Sequence, residues 1–138
     1  MINKVLLVFM GEKAIIDVND QTWEALIERR QTPILVMFHS PTCPHCQAMM
    51  PHFLQYAEEF KDKIPFARLN VLENPYTVNR YAVVSTPTFK FFCGGRPIQE
   101  LVGAVYPTIL KGLVEDVLQY GSSCVEKSTM INYDVAYV

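Results

Sequence analysis

Two cysteines three residues apart, Cys43 and Cys46, follow the apolar run Ile34-Leu35-Val36-Met37-Phe38 and open a helical pattern. A strand that hands a Cys-x-x-Cys pair to the first turn of a helix is the arrangement of a redox dithiol. Residues three apart on a helix share a face, with Cβ atoms roughly 5–6 Å apart, so a small adjustment reaches disulfide geometry. Pro44 suits the first helical position, because its missing N–H would have had no intrahelical partner. That leaves Cys43 at the cap with its sulfur towards free backbone donors. Those donors and the helix dipole favour thiolate over thiol, and a protonated His45 would add positive charge beside it. Cys43 is the expected nucleophile, and Cys46, one turn inward, the resolving thiol.

Other reactive side chains carry less. His39 and His52 could be assembled with the cysteines into a metal site on paper. Structural zinc asks for four closed ligands, commonly as two paired spacings, and no second pair is present. The expectation is no metal, with both histidines exposed or locally bonded. Cys93 and Cys124 stand alone in the sequence and read as small apolar residues with no redox task, in preference to a second disulfide. Met49 and Met50 read as core.

The elements that must position the dithiol can be taken in order. Val5 to Met10 is a six-residue apolar run, too short for a signal peptide, and is expected to form an extra edge strand in an extension over residues 1–13. Ala14 to Val18 has the β-branched content of a strand, and Asn19-Asp20 offers a cap for a helix carrying Trp23, Leu26 and Ile27. Ile34 to Phe38, apolar without alternation, is the expected central strand, covered on both faces. Met49, Phe53, Ala57 and Phe60 fall on one stripe of a long helix that Pro51 should kink. Phe66 to Leu72 reads as a strand, and Asn74-Pro75 as the cap and first turn of a short helix through Tyr81. Thr88 to Phe92 and Ile98 to Val102 flank Gly94-Gly95, a hairpin signal that brings antiparallel pairing into the sheet. Pro107 opens a last helix whose apolar period runs to Gly121. The domain is expected over residues 14–121, with a tail over 122–138.

Composition narrows the functional classes. At 138 residues and 50% apolar content the chain suits one domain with a substantial core. A formal net charge of −2 gives no electrostatic reason to expect nucleic acid or an anionic membrane surface as a partner. No stretch approaches the ~20 apolar residues of a membrane span. A soluble, cytoplasmic protein is the expectation.

Taken together and in this order, the residues resemble the thioredoxin family from about Ala14 to Tyr120. The resemblance rests on the strand before the cysteines, Pro51 inside the helix, and Ala67-Arg68-Leu69-Asn70-Val71 followed by Asn74-Pro75. It rests also on Thr86-Pro87-Thr88, Gly94-Gly95 and Val102-Gly103-Ala104. It implies an α/β thioredoxin fold, a central mixed β-sheet of four to five strands flanked by helices on both faces. It also implies that Pro87 is cis and packs beside the cysteines, that Thr86 offers its backbone to an extended substrate segment, and that Gly103 lies on the substrate-facing surface. No cofactor beyond the redox-active disulfide is implied. The implied partners are protein disulfides and a thioredoxin-reductase-type or small-thiol electron donor.

Three positions depart from the family's usual pattern. Cys43-Pro44-His45-Cys46 looks like the motif of the periplasmic oxidase DsbA. Met37 stands where a buried acid is common, and Thr42 where tryptophan is common. Leu72 to Thr86 leaves no room for the helical insertion of DsbA. The expected activity is therefore thiol–disulfide exchange in the reducing direction. The alternatives are an oxidising DsbA-like oxidase or isomerase, and a non-catalytic module that binds a peptide or a metal.

Overall fold

The computed structural model describes residues 4–119. Its centre is a five-stranded sheet built from β1 (Ile15–Asp17), β2 (Ile34–His39), β3 (Phe66–Asn70), β4 (Thr88–Cys93) and β5 (Arg96–Val102), in the order β1-β3-β2-β4-β5. β3 pairs parallel to both β1 and β2, whereas β4 pairs antiparallel to β2 and β5. The sheet is thus mixed, with β2 inside it as its unbroken apolar run requires.

Alternation along β2 divides its side chains between two cores. Leu35 and Met37 join Phe66, Phe89 and Phe91 beneath α2 (Pro44–Glu59) and α4 (Pro107–Gln119), whose Phe53, Leu110 and Val114 are fully buried. Ile34, Val36 and Phe38 join Leu69 and Phe92 on the other face, under Trp23 and Ile27 and against Val78 of α3 (Pro75–Arg80). Burying side chains of that size stabilises by about 1.5–3 kcal/mol each.

Three expectations are corrected. The N-terminal apolar run is not an edge strand: it lies within a helix, α1 (Lys4–Ala14), packed against α2. A Cβ added at Gly11 would fall 1.9 Å from the Leu54 carbonyl oxygen, so glycine is what permits the two backbones to approach this closely. The helix expected around Trp23 to Ile27 is a single π-helical turn, Glu24–Glu28. Cys93 is not a free apolar thiol but is held in a disulfide, while Cys43 and Cys46 are free. The expected tail, with Cys124, lies outside the described residues.

The capping of α3 is also non-local. The Asn74 side chain makes no cap bond to α3. It accepts from the Asp20 N–H at 2.8 Å and donates to the Asn70 carbonyl at 2.9 Å. The Asp20 carboxylate in turn accepts from the backbone N–H groups of Tyr76 and Thr77 and from the Thr77 hydroxyl at 2.6 Å. The α3 N-terminus is capped from a turn more than fifty residues away, which locks it to the end of β1.

Candidate functional site

Cys43 is the N-cap of α2, with an extended backbone (φ −87°, ψ 119°), and Pro44 occupies the first turn. The loop leading to it is short and bonded to itself. Ser40 Oγ lies 3.1 Å from Thr42 Oγ1 and accepts from the Thr42 N–H, and the Cys43 N–H donates to the Ser40 carbonyl at 3.2 Å. The Gln47 side chain donates to the Pro41 carbonyl at 2.9 Å, tying the second turn of α2 back to the same loop.

The two sulfurs sit in different surroundings. Cys43 is half-buried at the surface, whereas Cys46 is 1% exposed and packed in the core with Met37, Met49 and Phe53. As a thiol, Cys43 donates to the Thr86 carbonyl at 3.5 Å. The Thr86 side chain, and after it the Cys46 amide, stabilise the thiolate, and with a smaller contribution from the His45 amide they bring the pKa of Cys43 down to about 7. Cys46 is moved the other way. Burial pushes its thiol up, more than the Ser40 N–H at 3.5 Å can offset. Near neutral pH the outer sulfur is therefore substantially thiolate and the inner one thiol.

The remaining expected residues fall as follows. The Thr86–Pro87 peptide is cis, and Pro87 is buried. Gly103 has φ +92° and donates its N–H to the Pro87 carbonyl at 2.8 Å, which ties the loop after β5 to the Thr86–Pro87 turn. A Cβ at Gly103 would meet nothing within 4 Å, so the glycine answers to backbone conformation and open surface. Cys43, Cys46, Thr86, Pro87 and Gly103 thus converge at one end of the sheet. Pro44 and His45 are exposed on the first turn, and His45 reaches Cys43 through its backbone amide. Residues 84–86 and Tyr106 add exposed apolar surface through Val84 and Tyr106.

Sequence reasoning passed over Ser40 and Thr42, whose hydroxyls order the loop; a Ser-x-Thr turn just before a helix cap was the available signal. It also placed His39 among exposed or locally bonded residues. The ring is half-buried, and among the described residues its nitrogens have no hydrogen-bond partner. No group of three or more His, Cys, Asp or Glu side chains suited to a metal occurs among the described residues.

A family model described as Thioredoxin matches residues 14–116. The chain is 40% identical over 87 residues to "Thioredoxin" of Alicyclobacillus acidocaldarius subsp. acidocaldarius, an alignment covering 63% of this chain and 83% of that relative. It is 35% identical over 102 residues to "Thioredoxin M-type, chloroplastic" of Brassica napus, covering 74% of this chain and 58% of the relative. It is 32% identical over 102 residues to "Thioredoxin 1" of Nostoc, covering 74% and 95%. The chain spans little more than half the length of the plant relative and most of the two bacterial ones.

Proposed function

The chain belongs to the thioredoxin family, and from that premise we propose that it is a thiol–disulfide oxidoreductase that reduces protein disulfides through Cys43 and Cys46. The observation that carries this reading is the division between the sulfurs: an accessible thiolate held at about 7 and a buried thiol pushed up. The Cys43 thiolate attacks one sulfur of a target disulfide, forming a mixed disulfide and expelling the other target sulfur as thiolate. Cys46 then loses its proton and attacks Cys43 Sγ. The Cys43–Cys46 bond forms, the second target sulfur leaves with its electron pair, and the target has gained two electrons. Thr86 presents its backbone to the target segment as a strand edge would, beside Pro87, and Gly103 leaves room for it.

The pKa of Cys43 supports the reducing direction. Thiolate stabilisation makes a couple more oxidising, by roughly 30 mV for each unit of pKa. Nucleophilic cysteines lie near pKa ~7 in thioredoxin and ~3.5 in DsbA. Cys43 stands with the first. The electron donor on this reading is a reductase of the thioredoxin-reductase type or a small thiol, no cofactor takes part beyond the Cys43–Cys46 disulfide, and the working compartment is the cytoplasm.

A second reading, an oxidase or isomerase in an oxidising compartment, is favoured by the disulfide at Cys93, since such bonds are rare in reducing compartments. One measurement separates the two. Equilibration of the Cys43/Cys46 couple against glutathione should give a potential near about −270 mV for the reductase, whereas a value near about −120 mV would replace it by the oxidase. Exchange itself is tested with a model protein disulfide and a dithiol donor: Cys43→Ser should abolish turnover, and Cys46→Ser should accumulate the mixed disulfide. Undiminished turnover in Cys43→Ser would overturn the assignment.

A further inference from the structure

The reaction requires a buried thiol to lose its proton, and nothing in the immediate surroundings of Cys46 takes it. Met37 shares its core beneath α2, the polar groups that act on it are the Ser40 amide and the Thr86 side chain, neither of them a base, and among the described residues no carboxylate is buried. The group that answers this need lies one residue before the loop. Leu35, Met37 and His39 alternate onto the same face of β2, and the first two share a core with Cys46. The N–H of Ser40, the next residue, lies 3.5 Å from Cys46 Sγ. By standard backbone dimensions this puts the His39 Cα within about 6 Å of that sulfur.

His39 also opens on a polar cavity of about 460 Å³ lined by Asp17, Asn19, Arg68, Asn70, Glu73 and Asn74. The other polar side chains there are largely engaged. Arg68 holds Asp17 at 2.7 Å and Glu12 of α1 at 3.0 Å. Asn70 accepts from the Leu72 N–H, Asn19 from the Thr22 N–H, and Asn74 is bonded on both sides. Glu73 is exposed.

We propose that His39 is the proton acceptor for Cys46 during resolution, with the proton carried between the two by solvent. It rests on the reading of Cys46 as the resolving thiol. In the mixed disulfide the Cys46 proton passes to the free ring nitrogen, and the Cys46 thiolate attacks Cys43 Sγ. The departing target thiolate takes the electron pair, and the imidazolium returns its proton to that thiolate or to bulk water. Charges facing His39 keep the ring ready. Burial, and after it Arg68 from β3, push its pKa down, against a smaller opposing effect of Asp17 from β1. That direction favours the neutral ring, which has a lone pair to offer.

The test is single-turnover stopped-flow reaction of the reduced protein with a fluorescent peptide disulfide. It separates attack by Cys43, the first phase, from release of the peptide thiol by Cys46, the second. In His39→Phe and His39→Gln the second phase should slow about tenfold or more at pH 7, within the range of a lost acid–base group. The gap should close above pH 9, where hydroxide suffices, and the first phase should stay within twofold. In His39→Ala, added imidazole should restore the second phase, which a merely structural role for the ring would not allow. A second phase with the same pH profile in both His39→Gln and the unmodified protein would overturn the assignment of His39 while leaving the oxidoreductase intact. An unmodified protein that shows neither phase would overturn both.

Discussion

Replacing Thr86 by valine removes one hydroxyl from beside Cys43 and leaves the shape of the residue and its carbonyl in place. The Thr86 side chain is the largest of the influences that lower Cys43 to about 7. If its loss returned the thiol to the ordinary value of about 8.5, the thiolate fraction at pH 7 would fall from about one half to about 3%. Nucleophilicity partly compensates, because a more basic thiolate is intrinsically more reactive: with a Brønsted slope of 0.4–0.5, a rise of about 1.5 units makes each thiolate about fivefold faster. The net expectation is alkylation by iodoacetamide about three- to fourfold slower at pH 7 and about three- to fourfold faster at pH 9, so the two pH–rate profiles cross. These are upper limits, since the amides of Cys46 and His45 remain. The assay is the pseudo-first-order alkylation rate from pH 5 to pH 10, with thiolate absorbance at 240 nm alongside. A midpoint still at about 7 in Thr86→Val would refute the reasoning and move the stabilisation onto the backbone of the helix.

Two further predictions concern the frame that holds the site. Asp20→Ala should destabilise the fold by about 1 kcal/mol, the usual cost of a lost cap, read from urea denaturation at pH 7. Burial raises the Asp20 carboxyl, but the bonds from Thr77 and Tyr76 outweigh it and leave the pKa lowered. The contribution is therefore fully present above the unfolded-state value near ~3.9 and is lost as pH falls through the lower folded value, so variant and parent should converge in acid. Gly11→Ala places a methyl against the Leu54 carbonyl and must push α1 off α2. A cost of about 1–3 kcal/mol is expected, and a midpoint unchanged in urea would mean that this contact carries no stability.

How much of this was legible in the sequence depended on whether the deciding contact was local. Strand β2, the Cys43 cap, Pro44 in the first turn, Pro51 inside α2 and the Gly94-Gly95 hairpin are set by neighbouring residues, and each lies where the spacing predicts. The N-terminal run failed because six apolar residues without alternation suit a buried helix as well as a strand. Gly11, which reads as the end of that run, is its point of contact with Leu54. Asn74 reads as the cap of α3, yet the bond comes from Asp20, across a separation no local pattern can span. Cys93 looked unpaired because nothing in its spacing points to a partner. At the site, the placement of both thiols at the start of α2 was legible, while the division of their acidity was only half so. The helix end and its amides are written in the order Cys-Pro-His-Cys, but Thr86 arrives from 43 residues away.

The packing of α1 has a consequence for where the fold can be trimmed. The family match begins at residue 14, so α1 lies almost wholly before it. Yet this helix lies against Leu54, a core residue of α2, and supplies Glu12 as one of two carboxylates on Arg68. A chain cut back to the matched region would open that flank of α2 to water and leave Arg68 with Asp17 alone. The same arginine lines the cavity beside His39 and approaches Met50 Sδ at 3.7 Å. The boundary of shared ancestry is thus not the boundary of the folding unit: the first eleven helical residues belong to the wall behind the helix that carries Cys43 and Cys46.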